Sequence, residues 1–184
     1  MKFLLVGGNN NGMLERALTQ AKITHDVLGL PAIYISTVKP ADETEEEQCV
    51  RCCQLAAESG LSVLDCRRDI LSILPETTAD SVCVIDSVTA LLRNEMGTPD
   101  DLDLLATGRV IQDLEEFAKH VRSVVYIGHY VFSGTGRSGS RGDYSPEIYH
   151  REYFRKGLAE VEKSLAKYCD HVEEMSYCRR YRFK

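Results

Sequence analysis

The run Ser81-Val82-Cys83-Val84-Ile85-Asp86 constrains the fold more than any other stretch of this chain. Consecutive apolar residues without polar alternation describe a strand covered on both faces, which requires a layer of helices on each side. Buried strands are also predicted at Lys2-Phe3-Leu4-Leu5-Val6 and Ser123 to Ile127, a further strand at Ala32-Ile33-Tyr34-Ile35-Ser36, a short one at Leu61-Ser62-Val63-Leu64 and a last one at His171 to Tyr177. Between them apolar residues recur at helical spacing. Met13, Leu14, Ala17, Leu18 and Ala21 form one such face, and Val110, Ile111, Leu114, Phe117, Ala118 and Val121 another. Phe154, Leu158, Val161, Leu165 and Tyr168 form a third. Helices are also predicted from Asp42 to Ser59, where the acidic start suits the helix dipole, from Asp69 to Leu74 and from Val88 to Glu95. This alternation predicts an α/β fold: a mostly parallel sheet with helices on both faces, in a single domain over residues 1–184.

Composition narrows the function classes. A net charge of -6 and a pI near 5.4 argue against a nucleic-acid binder. No apolar stretch is long enough to span a membrane, and the apolar residues before Gly7 and Gly8 are too few for a secretion signal. Seven cysteines, an odd number, fit free thiols in a reducing cytoplasm, which is the expected location.

In open parallel sheets ligands gather beyond the carboxyl ends of strands, here Gly7, Ser36, Asp86 and Gly128. The first of these ends opens the loop Gly7-Gly8-Asn9-Asn10-Asn11-Gly12, which leads into Met13 and Leu14 and a helix. Gly7 and Gly12 stand at the spacing of a phosphate-binding P-loop, G-x4-G-K-[ST], in the required strand–loop–helix context. Its glycines let backbone N–H groups curl round phosphates. Met13 and Leu14 occupy the places of the lysine and the metal-binding hydroxyl. A tight structural turn is the competing reading of the same residues. Asp86 is the candidate magnesium ligand at the end of a buried strand, and equally a candidate N-cap of the next helix.

Cys49, Cys52, Cys53 and Cys66 raise the question of zinc, but neighbouring thiols on one helix point about 100° apart, so no structural zinc is expected. Cys52 is a candidate nucleophile, which would need an activated thiolate. His129 ends a strand and is a candidate catalytic group. Arg137 and Arg141, in the glycine-rich loop Ser133 to Pro146, are candidate anion clamps.

The order and spacing of these segments resemble the adenosylcobinamide kinase/adenosylcobinamide-phosphate guanylyltransferase family over nearly the whole chain. Val6-Gly7-Gly8-Asn9-Asn10-Asn11-Gly12-Met13-Leu14 resembles its V-T-G-G-x-x-S-G-K-S segment, and Ile33-Tyr34-Ile35-Ser36-Thr37 its Y-I-A-T strand. Asp86-Ser87-Val88-Thr89 with Asn94 resembles D-C-L-T…N, and Phe154-Arg155 resembles F-R-D. The resemblance implies a RecA-like P-loop NTPase fold, ATP or GTP with magnesium as cofactor, a nucleotide or cobinamide-like ligand, and a homo-oligomer. Four family features are replaced. The P-loop lysine and serine fall on Met13 and Leu14, and the guanylylated histidine falls near Arg51 or Cys52. The N-E-V-G segment falls on His129-Tyr130-Val131-Phe132, and the N-Q pair on Glu162-Lys163. Three functions are therefore expected as alternatives. One is an enzyme of this family. Another is a non-catalytic relative that binds a nucleotide or other ligand in a regulatory or oligomer-partner role. The third is a different kinase drawing its cation from Arg137 or Arg141.

Overall fold

The computed structural model describes residues 1–8, 11–130, 145–176 and 179–184. Its centre is a seven-stranded sheet of β1 (Lys2–Gly7), β2 (Ala32–Ser36), β3 (Ser62–Asp65), β4 (Val82–Asp86), β7 (Ser123–His129), β8 (His171–Ser176) and β9 (Arg179–Arg182). Their spatial order is β3-β2-β4-β7-β1-β8-β9, and all pairs are parallel except β8 with β9. A two-stranded hairpin, β5 (Gly97–Thr98) with β6 (Asp101–Leu102), stands apart. The helices are α1 (Met13–Leu28), α2 (Glu43–Glu58), α3 (Val88–Met96), α4 (Ala106–His120) and α5 (Pro146–Tyr168). A 3-10 helix covers Ile70–Glu76. The expected α/β architecture is therefore present. No helix among the described residues is long and apolar enough to cross a membrane.

The direction of each crossover decides which face its helix covers, because parallel connections are right-handed. From β1 to β2 and from β2 to β3 the chain moves one way along the sheet, and α1 and α2 cover one face. Every later parallel crossover moves the other way, so the 3-10 helix, α3, α4 and α5 cover the opposite face. Two cores result. Phe3, Leu5, Tyr34, Val84 and Ile127 pack with Met13, Ala17 and Ala56 on the α1 side. Leu4, Ile35, Cys83, Ile85 and Tyr126 pack with Leu92, Leu114, Phe154 and Val161 on the α5 side. Alternate residues of each strand serve alternate cores, which is why β4 has no polar position before Asp86. Each of its fully buried Val and Ile side chains contributes about 1.5–3 kcal/mol.

Several boundaries differ from expectation. The acidic helix starts at Glu43 because Asp42 caps it, accepting from the Glu45 backbone N–H at 2.9 Å, while the Glu45 carboxylate accepts from Ala41 N–H. Asp69 to Leu74 becomes a 3-10 turn containing Pro75, which cannot donate to an α-helical ladder. The basic segment Arg179–Arg182, given no element from the sequence, is the antiparallel edge strand β9.

Candidate active site

The two-way winding creates crevices where neighbouring strands send their connections in opposite directions. One lies between β2 and β4, the other between β7 and β1. Thr37, Asp86 and Ser87 border the first, and Gly7, Gly8 and His129 the second. Strand β7 stands between β1 and β4, so the glycine loop and the Asp86 carboxylate are next-but-one neighbours at the same end of the sheet.

Ser87, not Asp86, caps α3, its hydroxyl accepting from Ala90 N–H at 3.2 Å. This leaves the Asp86 side chain available. It lies on the α1 side, and Oδ2 accepts a 2.8 Å hydrogen bond from the Tyr34 hydroxyl. Tyr34 is 1% exposed, and burial followed by the Asp86 charge pushes its hydroxyl far above the ordinary range. The other carboxylate oxygen, Oδ1, faces His129 Nε2 at 3.6 Å. Thr89 pins the His129 backbone, accepting from its N–H at 2.8 Å. His129 Nδ1 is buried and has no hydrogen-bond partner among the described residues, and the same holds for Glu162 Oε1 on α5. That oxygen sits 2.9 Å from where a Cβ on Gly128 would lie. Burial pushes the Glu162 carboxyl up to about 7, against the pull of His129.

The surrounding backbone is fixed by a dense polar network. Thr37 N–H donates to Asp86 O at 2.9 Å. The Thr37 hydroxyl donates to Ser87 O and accepts from Ser87 N–H, both at 2.7 Å. Asn94 Nδ2 donates to the carbonyls of Thr37 and Arg67 at 2.8 Å, joining the ends of β2 and β3. Thus Thr37, Asp86, Ser87, Thr89 and Asn94, separate in sequence, meet in one place.

The glycine loop is shaped by close approach. A Cβ on Gly7 would stand 2.4 Å from Met175 O of β8, so only glycine fits. Gly12, at φ 79°, takes the left-handed conformation as it enters α1, and as the N-cap residue it has no side chain with which to cap the first amides of the helix. Asn11 Nδ2 donates to Met175 O at 3.3 Å. Met13 is 3% exposed and packs into the α1-side core, with Leu14 half-buried against it. Neither can present a cation or a hydroxyl to the loop. Asn9 and Asn10 lie outside the described residues, as do Arg137, Arg141 and residues 131–144 of the glycine-rich loop.

The α2 cysteines look toward the same carboxylate. Burial pushes Cys52 up to about 12, with Asp86 adding to it, and raises Cys49 and Cys53 less far. All three are thiols rather than thiolates at neutral pH, which removes the activation a nucleophile requires. The six described cysteines are free, and no described group of three or more His, Cys, Asp or Glu side chains is placed to hold a metal ion.

Chemically, the site offers a carboxylate fixed by Tyr34, an imidazole oriented by that carboxylate, and a second carboxyl near the imidazole. Such a set can bind a hydrogen-bond donor and hold a proton. Tyr34 and Glu162 were not singled out from sequence as site groups; Glu162 carried only its alignment with the N-Q pair, and Tyr34 only its same-side parity with Asp86, usable once β2 and β4 are known to be neighbours. No protein-family model matches the chain, and no curated protein matches it.

Proposed function

We propose that this protein is a ligand-binding relative of the adenosylcobinamide kinase/adenosylcobinamide-phosphate guanylyltransferase scaffold. It binds a nucleotide or cobinamide-like molecule at the strand ends without transferring a phosphoryl or nucleotidyl group. One observation carries this reading: Met13, at the place of the P-loop lysine, is buried in the core, while the N-cap of α1 is Gly12, which has no side chain to cap the first amides. Those amides and the positive helix end favour phosphate. Phosphoryl transfer, however, depends on cationic stabilisation of the transferred group, and losing such a contact typically costs about 10²–10³-fold. Free thiols at Cys49, Cys52, Cys53, Cys66, Cys83 and Cys169 support a cytoplasmic setting.

Calorimetry with ATP and GTP, with and without magnesium, tests this on the wild type and on Met13→Lys/Leu14→Ser. The wild type is expected to bind weakly and with little response to magnesium, and the double variant to bind more tightly and to acquire that response. Tight magnesium-dependent binding or transfer by the wild type overturns the non-catalytic reading, and no binding of either nucleotide overturns the nucleotide reading.

A further inference from the structure

The buried carboxylate of Glu173, on β8, is surrounded by more positive charge than it can neutralise. Arg16 of α1 holds it through two hydrogen bonds, Nε to Oε2 at 3.0 Å and Nη2 to Oε1 at 3.2 Å. Arg180 of β9 approaches Oε1 at 3.9 Å, and Arg182 lies near enough to depress the same carboxyl. The carboxylate is 4% exposed, Arg16 19% and Arg180 55%. Arg182 already spends donors on the Lys184 carbonyl at 3.1 Å and on His171 Nδ1 at 2.6 Å. The Arg180 side chain makes no hydrogen bond among the described residues, only the long ion pair. Two guanidinium groups thus meet one carboxylate, and a third, Arg182, stands opposite it in the β8–β9 ladder, in a chain whose net charge is -6.

This cluster is next to the glycine loop. Gly7 pairs with Met175 across the β1–β8 ladder, and Met175 pairs with Arg180 across the β8–β9 ladder, so the three share one row of the sheet. With strands about 4.8 Å apart, the Arg180 backbone is about 10 Å from Gly7, a gap an extended arginine side chain largely spans. Arg180 and Arg16 meet on Glu173, which places them on the α1 side of the sheet, where Gly12 begins the helix. Neither α1 nor α2 crosses β8 or β9, because the connections that carry them, β1 to β2 and β2 to β3, run toward the other edge of the sheet.

We propose that Arg180 and Arg182, backed by Arg16, form an anion-binding station beside Gly12, and that its ligand is a polyphosphate: the phosphate chain of a nucleotide seated at the strand ends. This rests on the nucleotide reading above and supplies, from the C-terminal strand, the cation that Met13 does not. Glu173 positions the guanidinium groups and prevents them from splaying apart. Planar guanidinium groups with unspent donors match phosphate oxygens in geometry and charge.

The test uses the full chain at low salt, titrated calorimetrically with inorganic tripolyphosphate and then with magnesium-free ATP as competitor. Urea unfolding of each variant confirms its fold. Wild type is expected to bind tripolyphosphate, more weakly as salt rises. Arg180→Gln, which breaks no hydrogen bond, is expected to weaken binding about tenfold or more, and Arg180→Gln/Arg182→Gln to abolish it. Arg179→Gln, on the same strand but the opposite side, should change it less than about twofold. No binding by wild type, no loss in Arg180→Gln, or an equal loss in Arg179→Gln overturns the station. ATP binding unaltered in the double variant also overturns it while leaving the nucleotide reading standing. Arginine-dependent tripolyphosphate binding that ATP cannot displace supports the station as a site for free polyphosphate and overturns the nucleotide reading instead.

Discussion

Replacing Glu162 by glutamine should change how stability depends on pH, in a direction fixed by where its carboxyl lies. In the folded chain burial lifts that carboxyl from 4.5 to about 7, with His129 opposing the lift. A carboxyl raised on folding is held protonated by the native state, so the unfolded chain binds fewer protons between those values. Stability attributable to Glu162 is therefore full below about pH 4.5, falls as pH rises, and is lost above about pH 7. At 1.36 kcal/mol per pH unit the whole effect would be about 3 kcal/mol. The side chain keeps some solvent contact, which screens it, and about half is a realistic figure. Between pH 5 and pH 8 the wild type should then lose about 1–2 kcal/mol more than Glu162→Gln does. Urea unfolding at half-unit pH steps measures both curves. Groups away from this position are common to both proteins, so the difference reports on position 162 and its immediate contacts. Parallel curves would refute the placement of this carboxyl in a desolvated site.

Two further substitutions test the geometry of the strand ends. Tyr34→Phe removes the only hydroxyl donating to Asp86 Oδ2 among the described residues and should cost about 1–3 kcal/mol in urea unfolding, because the partner left behind is buried. Gly12→Ala and Gly7→Ala should separate two kinds of glycine requirement. At Gly12 the nearest atom to a new Cβ is Met175 Cε at 3.9 Å, so the cost is the left-handed backbone alone, about 1–2 kcal/mol. At Gly7 the new Cβ would meet a backbone carbonyl at 2.4 Å, so β1 and β8 must separate locally and the loss in thermal stability should be clearly larger.

What was legible in the sequence is what depends on local pattern. The apolar run of β4 announced its double coverage, and the stripe Val110, Leu114, Phe117, Ala118 announced the buried face of α4. Strand order is not a local property. Nothing near Asp86 says that β7 will lie between it and β1, because that order is set by crossover direction over the whole chain. The assembly of Tyr34, Asp86, His129 and Glu162 was invisible for the same reason: each comes from a different element. Ser87 displaced Asp86 as the cap because a cap must turn its side chain back onto its own helix, whereas Asp86, still in the strand, must face the sheet. Strand β9 was hidden by its composition. Arg179-Arg180-Tyr181-Arg182 carries no buried residue, and its pairing is anchored by backbone contacts to β8.

That last strand also gives the sheet two unlike margins. An open margin is a template on which another chain can add a strand, and charge on the margin is a common defence. Laid margin to margin at β9, two copies would bring Arg179, Arg180 and Arg182 of each into one row of like charge. The other margin, β3, is Ser62-Val63-Leu64-Asp65, with no cation of its own. Strand-by-strand growth is opposed by a row of arginines at one margin and by a single charge, Asp65, at the other, so β3 is the more permissive of the two margins.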